Sequence, residues 1–302
     1  MVTKMINNAA DRLTAAIARV KNPTAMGLDT QVSHLPPEFA PKDDSNKEIC
    51  KAILKYNMAL IDGLFDLIGC VKVQVAYYEI YGIAGMTVFA KTLEYARQHG
   101  YITIADCKRN DIGATAGAYA RAYLNPEGEF FSDFVTVNAY LGVDGIKPFA
   151  DEAKQHGGGI YVLVKTSNPS GGQLQDIEAA DGRKIYELMA DLVSVWGEEL
   201  VGEGGYSSVG AVVGATWPSE STSLRKRMPH TPFLVPGYGA QGATGKDLSG
   251  CFDSAKGGAV VNASRSLLCA HQKRPEMNWL EAVRAEAIRM RDDITADYTE
   301  RA

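Results

Sequence analysis

Eight short apolar runs recur along the chain, and most are followed by a longer segment with the periodicity of an amphipathic helix. The runs are rich in Val and Ile and do not alternate strictly with polar residues, as expected for strands buried on both faces of a parallel sheet. They lie at 24–29, 70–76, 102–108, 134–140, 160–167, 209–216, 233–237 and 259–264. Strands that alternate with helices eight times predict an α/β protein with a closed (β/α)8 TIM barrel.

The helical segments support the same fold. A leading helix is predicted over 2–21, Ser45 opens a helix with a capping box, and Pro218 suits the first turn of another. Further helices are predicted over 85–98, 114–124, 183–200 and 276–296. An open, doubly wound sheet is the alternative, but no G-x-G-x-x-G follows the first strand. The 302 residues fit one decorated barrel, so a single domain over 1–302 is expected.

The net charge and the cysteine content indicate which partners and which cellular compartment to expect. The net charge of −5 offers no electrostatic footprint for nucleic acid or an anionic membrane, so a bound phosphate would need a local site. The five cysteines show no spacing typical of disulfides, which favours a reducing compartment. No apolar stretch approaches the roughly 18 residues of a membrane span, and the N-terminus does not resemble a secretory signal. We therefore expect a cytoplasmic protein.

Polar side chains stand at the predicted ends of most of the strands. Enzymes built on this barrel place their chemistry at the C-terminal ends of the strands. The first run ends in Asp29, the second carries Lys72, and the third ends in Asp106 with Lys108. The fourth, fifth and eighth runs end at or near Asn138, Ser167 and Arg265. Polar residues occur wherever strands leave a core, so none is informative alone, but a barrel would bring all of them to one mouth.

A charged motif lies at the end of the third run. Asp106 and Lys108 are two residues apart, so their side chains share one face of a strand. Asp111 follows three residues later, and Lys72 lies on the adjacent predicted strand. An ordinary salt bridge would explain an isolated pair. Four alternating charges within reach of one another are costly as structure and useful as chemistry, so we interpret them as catalytic candidates.

Two features near the end of the chain indicate an anion site. The turn GYGAQG at 237–242 is rich in glycine, and its backbone N–H groups could hold a phosphate. Arg265 adds a side chain that can donate two parallel hydrogen bonds. Turn geometry alone would also explain the glycines. The loops after the seventh and eighth strands are the usual phosphate site of such barrels.

Two further observations concern a lid and a metal. The segment 168–182 is long and rich in Gly and polar residues, which predicts a mobile lid or a disordered loop. The five histidines are scattered, so we interpret them as surface or loop residues. No spacing indicates a transition-metal site or a nucleophile triad, and no metal ion is expected.

Several segments together resemble one family. ADCKRNDIGATAGAYA at 105–120 resembles the Asp-x-Lys-x-x-Asp signature of orotidine 5′-monophosphate decarboxylases, in particular their longer bacterial subgroup. The segments at 71–82, 135–149, 162–176, 234–244 and 261–268 resemble the family in the same order, over nearly the whole chain. Two residues depart from the family pattern. Asn110 stands where a glycine is expected, and Ser264 replaces the glycine before Arg265.

The resemblance implies that orotidine 5′-monophosphate is converted to uridine 5′-monophosphate and CO₂ in de novo pyrimidine biosynthesis, without a cofactor. Lys108 would stabilise a ring carbanion and protonate it, next to Asp106 at the substrate carboxylate. The resemblance also implies a homodimer with shared active sites, in which Asp111 and Thr115 reach into the partner's site. The other implied contacts are Lys72 and Asp29 at the ribose, Ser167 at the pyrimidine, Gln241 and Arg265 at the phosphate, and Asn138 as a further substrate-binding residue.

Three alternatives stay open. One is a Mg²⁺-dependent decarboxylase or aldolase of sugar phosphates, since such enzymes share the barrel and the motif. They resemble one another in having a metal-binding glutamate at the position where this chain has Lys72. The lysine is a cation and would repel Mg²⁺. A non-catalytic nucleotide-binding barrel would keep Arg265 and Gln241 but need not keep the charged motif. Asp111 could also serve only as the N-cap of its own helix.

Overall fold

Eight parallel strands close into a barrel in the computed structural model, which describes residues 8–239 and 242–296. Each strand pairs with its neighbours in chain order, and β8 pairs with β1. The predicted barrel is confirmed. The strands are β1 Thr24–Leu28, β2 Cys70–Gln74, β3 Ile102–Arg109, β4 Phe134–Val137, β5 Gly159–Lys165, β6 Val209–Val213, β7 Phe233–Val235 and β8 Ala259–Ala263.

Helices follow the strands and surround the barrel. The longer ones are α1 Ala9–Val20, α2 Asn46–Leu64, α4 Gly82–Gln98, α5 Gly113–Leu124, α6 Val143–His156, α8 Ile185–Gly197, α9 Pro218–Arg227 and α12 Trp279–Thr295. One-turn helices are α3 Ala76–Glu79, α7 Gly172–Gln175, α10 Arg265–Leu268 and α11 Ala270–Lys273. Within the described ranges, no helix has the length and apolar character that crossing a membrane requires.

The helix ends correct several predicted boundaries. Asn8 has an extended backbone and its side chain accepts the N–H groups of Ala10 and Asp11, so α1 begins at Ala9. Residues 1–7 lie outside the described part of the chain. Ser45 caps α2 as predicted, by accepting the N–H of Glu48. The helix predicted over 183–200 is shorter, because it ends at Gly197 and continues as a 3-10 turn.

The core has two layers, and one of them closes one end of the barrel. Inside the barrel, side chains such as Phe134 and Tyr161 pack together, with their ring centroids 4.9 Å apart. Leu13 and Ala16 of α1 belong to this inner cluster and cover the end where the strands begin. A larger cluster fills the space between strands and helices. The opposite end, where the strands finish, stays open as a mouth.

Candidate active site

The mouth of the barrel contains a cavity of about 710 Å³. All eight strands, or the loops directly after them, contribute to its wall. The lining includes Asp29, His34, Lys72, Gln74, Asp106, Lys108, Thr136, Leu163, Thr166, Ser167, Asn168, Val212, Leu234, Gly237, Tyr238, Asn262, Ser264 and Arg265. Six of the ten residues predicted from the sequence are therefore brought together here: Asp29, Lys72, Asp106, Lys108, Ser167 and Arg265.

Asp106 is the centre of a charged cluster. Its Oδ2 lies 2.6 Å from Nζ of Lys72, and its Oδ1 lies 2.6 Å from Nζ of Lys108. Lys72 also lies 3.7 Å from Oδ1 of Asp29. The side chains of Asp106 and Lys72 are 8% and 6% exposed, whereas that of Lys108 is 46% exposed. The Lys72–Asp106 ion pair is therefore buried in the wall, whereas Lys108 is exposed to the open cavity.

Two neutral side chains complete the surroundings of Asp106. The hydroxyl of Thr136 donates to Oδ1 at 2.9 Å, and Nε2 of Gln74 donates to Oδ2 at 3.0 Å. The backbone N–H of Lys108 donates to the Thr136 hydroxyl oxygen at 2.9 Å. These contacts satisfy the buried carboxylate and hold its orientation. Neither Thr136 nor Gln74 was predicted, although each is a polar residue in a buried strand and Gln74 shares a strand face with Lys72.

The ion pair keeps Asp106 and Lys72 charged. Burial alone would raise the pKa of the Asp106 carboxyl, but Lys72 and Lys108 outweigh burial and hold that pKa well below its usual range. For Lys72, burial would lower the pKa of the ammonium, but Asp106 and Asp29 together raise it. Both groups are therefore ionised at neutral pH, and the cavity holds a preorganised array of opposite charges.

The backbone at Lys108 is unusual. Lys108 has a φ of 44°, in the left-handed region that side-chain-bearing residues rarely adopt. The pairing of β3 with β4 also shifts register between Ala105 and Arg109. Such a conformation costs roughly 1–3 kcal/mol and persists only where surrounding contacts impose it. Here the bond to Thr136 and the ion pair with Asp106 impose it and direct the lysine into the cavity.

The predicted anion site is only partly described. Arg265 begins α10 at the rim of the cavity, and Gly237 lines the wall beside it. Gly237, Gly239 and Gly242 all have positive φ, so glycine is required by the turn itself. A 3-10 helix, Gly245–Cys251, follows this turn. Gln241 lies outside the described residues.

Three predicted residues do not line the cavity of their own barrel. Asn138 is used locally, because its Oδ1 accepts the N–H of Tyr140 at 3.0 Å. Asp111 does not join the charged cluster, and its Oδ1 accepts the N–H of the next residue, Ile112. The N-cap of α5 is Ile112, so the alternative that Asp111 caps this helix is wrong. Thr115 is exposed on the first turn of α5.

Two further polar residues of the cavity, His34 and Asn262, were not predicted as site residues. The scattered histidines predict a surface or loop position for His34, but it is only 9% exposed, and its Nδ1 accepts the N–H of Gln31 at 3.3 Å. Burial lowers the pKa of His34 despite the nearby Asp29. Asn262 on β8 is 8% exposed, and its Oδ1 has no hydrogen-bond partner among the described residues. An unpaired oxygen in the cavity wall can accept a bond from a ligand.

The segment 168–182 has local structure, which contradicts the disordered-loop alternative, while its role as a lid stays a prediction. It contains a 3-10 turn, Pro169–Gly171, and then α7. Glu178 forms an isolated antiparallel bridge with Lys184. The segment therefore stands beside the mouth with local structure of its own.

The side chains offer no evident metal centre. In the part of the chain that the structure describes, no group of three or more His, Cys, Asp or Glu side chains could hold a metal ion. The two carboxylates of the cavity, Asp29 and Asp106, are bridged by the ammonium of Lys72. A cation supplied by the protein thus occupies the place between them.

The closed barrel and its charged mouth define an α/β-barrel protein with an enzyme-like site, and comparison with known proteins identifies the family. The model of the orotidine 5′-phosphate decarboxylase / HUMPS family matches residues 43–278. The chain belongs to this family. The resemblance noted in the sequence is thereby confirmed.

Individual relatives cover almost the whole chain. The orotidine 5′-phosphate decarboxylase of Clostridium perfringens is 39% identical over 286 residues, which are 94% of this chain and 97% of the relative. The orotidine 5′-phosphate decarboxylase of Rhodopirellula baltica is 42% identical over 300 residues, and the match covers 94% of this chain and 98% of the relative. The solved structure of Leishmania donovani OMP decarboxylase has a TM-score of 0.76 at 26% identity and covers 96% of this chain and 98% of its own.

Proposed function

We propose that this chain decarboxylates orotidine 5′-monophosphate to uridine 5′-monophosphate and CO₂ in pyrimidine biosynthesis, with neither a metal ion nor an organic cofactor. The observation that carries the proposal is the Lys72–Asp106–Lys108 cluster in the wall of the cavity, with Arg265 at the rim. Full-length relatives at about 40% identity that are orotidine 5′-phosphate decarboxylases support it.

The chemistry follows from the charges of the cluster. The substrate carboxylate would lie against Asp106, with the ammonium of Lys108 beside the ring carbon. The bond between ring carbon and carboxylate breaks, CO₂ leaves, and the electron pair stays on the ring carbon as a carbanion. Lys108 stabilises that charge and transfers a proton to the carbon. Because the Lys108 side chain is 46% exposed, solvent can restore its proton.

The other cavity residues would bind the rest of the nucleotide. Lys72 pairs with both Asp106 and Asp29. Lys72 and Asp29 would contact the ribose. Ser167 would bind the pyrimidine, while Arg265 and Gln241 would bind the phosphate, and Asn138 stays a predicted binding residue. Binding energy gathered at the phosphate can then be used to hold the reacting end in place. The segment 168–182 would close over the bound nucleotide.

The strongest rival is a Mg²⁺-dependent enzyme acting on sugar phosphates. The family description also covers HUMPS, so family membership alone does not exclude this rival. The position of Lys72 argues against it. Its ammonium lies 2.6 Å from Asp106 and 3.7 Å from Asp29, so a Mg²⁺ ion between these carboxylates would meet a like charge.

One assay separates the two functions. Chelator-treated protein is incubated with orotidine 5′-monophosphate, and formation of uridine 5′-monophosphate is followed with EDTA present and after addition of excess Mg²⁺. We expect the same rate under both conditions. Activity that is lost in EDTA and restored by Mg²⁺ would contradict the proposal, as would turnover of sugar phosphates in place of the nucleotide.

The proposal includes a homodimer with shared active sites. Large apolar side chains are exposed on the side of the mouth formed by β2, β3 and β4, and exposed apolar patches of this kind typically mark interfaces. They are Ile80, Ile83, Ile112, Tyr140 and Leu141. Asp111 and Thr115 lie on the same side but do not line their own cavity. A second copy seated on this patch would receive both side chains.

Mixed dimers test the shared site. Lys108→Ala and Asp111→Ala homodimers should each be nearly inactive. In a mixed dimer, one site combines an intact Lys108 with an intact Asp111 from the other chain, and the second site lacks both. Two-fold symmetry therefore predicts recovery of up to about half the wild-type activity. Verified mixed dimers that stay inactive would show that Asp111 acts within its own chain.

We also propose that the chain is one domain over residues 1–302 and works in the cytoplasm. All five cysteines are free, and four of them are buried, which supports a reducing compartment. The continuous barrel from β1 to β8 supports a single domain.

A further inference from the structure

A buried lysine outside the charged cluster has no part in the chemistry described so far. Lys165 is the last residue of β5, and its side chain is only 1% exposed. Its ammonium forms an ion pair with Oδ1 of Asp176, the residue directly after α7. Burying an ammonium is costly unless it is paired, so this position must contribute something that an apolar residue would not.

Two aromatic rings enclose the same ammonium. Nζ of Lys165 lies 4.8 Å from the ring centroid of Tyr186 on α8 and 4.8 Å from that of Trp217, the N-cap residue of α9. A cation near two ring faces is held by electrostatic attraction as well as by packing. Four parts of the chain, namely β5, α7, α8 and the start of α9, thus meet at one charge.

Trp217 and two adjacent residues, Gln175 and Thr216, form hydrogen bonds to the part of the chain that lines the cavity. Nε1 of Trp217 donates to the carbonyl of Thr166 at 2.9 Å. Gln175 binds Thr166 twice, because its Oε1 accepts the Thr166 N–H at 3.0 Å and its Nε2 donates to the Thr166 hydroxyl at 2.7 Å. The hydroxyl of Thr216 donates to the carbonyl of Ser167 at 3.2 Å. The segment 166–176 is therefore tied at both ends, beside Lys165.

We propose that Lys165 is a positioning residue for the decarboxylation: through Asp176 it holds the segment 166–176 at the mouth, so that Ser167 faces the bound nucleotide. This inference rests on the proposed function, because the nucleotide is the ligand that Ser167 would meet. Lys165 itself does not line the cavity. Its effect is on the placement of Thr166 and Ser167, which do.

Lys165→Met tests the proposal, since methionine can fill the space between the rings of Tyr186 and Trp217 without carrying a charge. If the held arrangement is then populated about one tenth of the time, apparent nucleotide affinity falls about tenfold. We expect the KM for orotidine 5′-monophosphate to rise by about this factor, with a smaller change in kcat. Asp176→Asn, at a side chain that is 35% exposed, is a second variant that should fold and should shift KM in the same direction.

Lys154→Met is the matched control. Lys154 pairs with Glu199 at 2.8 Å, but both side chains are largely exposed and lie away from the mouth. The KM of Lys154→Met should match that of the wild type. The double variant Lys165→Met/Asp176→Asn should be no worse than the more affected single variant, because both substitutions break one interaction. A merely structural role would lower the Tm of Lys165→Met without changing KM.

Hydrogen–deuterium exchange gives a readout independent of activity. Amides of 166–176 should exchange several-fold faster in Lys165→Met than in the wild type and in Lys154→Met, with the barrel strands unchanged. Unchanged exchange there, an unchanged KM, or additive effects in the double variant would overturn the role of Lys165. If the wild type does not decarboxylate orotidine 5′-monophosphate, the proposed function fails, and exchange alone then decides whether Lys165 holds the segment.

Discussion

The two sides of the barrel mouth are built differently. The side of β1 to β4 carries a charged cluster built mostly on strands, with Lys72, Asp106 and Lys108 on β2 and β3 and Asp29 directly after β1. On the side of β5 to β8, most of the polar groups follow the strand ends, as Ser167, Gly237 and Arg265 do. The first set is joined by ion pairs within one cluster, whereas the second is distributed along the rim.

This difference indicates a division of labour. Groups fixed on strands and bonded to one another are preorganised, which suits stabilisation of charge in a transition state. Groups on loops supported by a rigid scaffold suit recognition and can adjust as a ligand enters. Substitutions on the β1–β4 side should therefore lower kcat, and substitutions on the β5–β8 side should mainly raise KM.

Lys108→Ala should have the largest effect. The ammonium that stabilises the carbanion and supplies its proton is removed, so kcat should fall by at least about a thousandfold. Binding of uridine 5′-monophosphate should persist, because Arg265 is intact. Steady-state kinetics and calorimetry check both parts, with Lys147→Ala, an exposed lysine on α6, as the control. A variant that keeps a substantial part of the wild-type kcat would exclude Lys108 as the proton donor.

Arg265→Ala should have the next largest effect, and this effect should be on KM rather than on kcat. Loss of the phosphate partner should weaken nucleotide binding by about 2–5 kcal/mol, as for truncation of a charge pair that is buried in the complex. Initial rates over a wide range of substrate concentration check this as a large rise in KM. Arg291→Ala on α12, which does not line the cavity, is the control. If kcat fell while KM stayed constant, the division between the two sides would be wrong.

The pH dependence of stability should show a smaller effect of the charged cluster. The pKa of Asp106 is lower in the folded state than in the unfolded chain, so its stabilisation is present above the unfolded pKa of about 4 and lost as pH falls through the folded pKa. The difference in unfolding free energy between wild type and Asp106→Asn should be constant from about pH 5 to 7 and shrink below about pH 4. Denaturant titrations at several pH values measure it. A difference that stays constant as pH falls well below 4 would mean that the pKa of Asp106 is not lowered in the folded state.

The sequence predicted the barrel and the Lys72–Asp106–Lys108 cluster because both depend on local patterns. Runs of buried strand are visible in composition, and side chains two apart on a strand must share a face. Gln74 and Thr136 could have been found in the same way. The left-handed backbone of Lys108 could not, since it is imposed by Thr136 and Asp106 rather than by the lysine.

Other features depend on contacts between distant elements. The role of Lys165 requires Asp176, Tyr186 and Trp217 to meet, and no spacing along the chain indicates that they do. His34 is buried because a 3-10 turn after β1 places it against the cavity. The direction of the Asp111 side chain depends on the turn between β3 and α5. The separation of five residues from Asp106 therefore does not show that Asp111 lies outside the charged cluster of its own barrel.

A comparison of two substrates tests the central claim most directly. CO₂ release is measured with orotidine 5′-monophosphate and with orotidine, which lacks the phosphate, using wild type and Arg265→Ala in the presence of EDTA. We predict that kcat/KM of the wild type is far higher for the nucleotide than for the nucleoside, because Arg265 at the rim binds the phosphate. Arg265→Ala should lose much of its rate on the nucleotide and none on the nucleoside. Equal rates on both substrates, or no CO₂ from the nucleotide, would contradict the account.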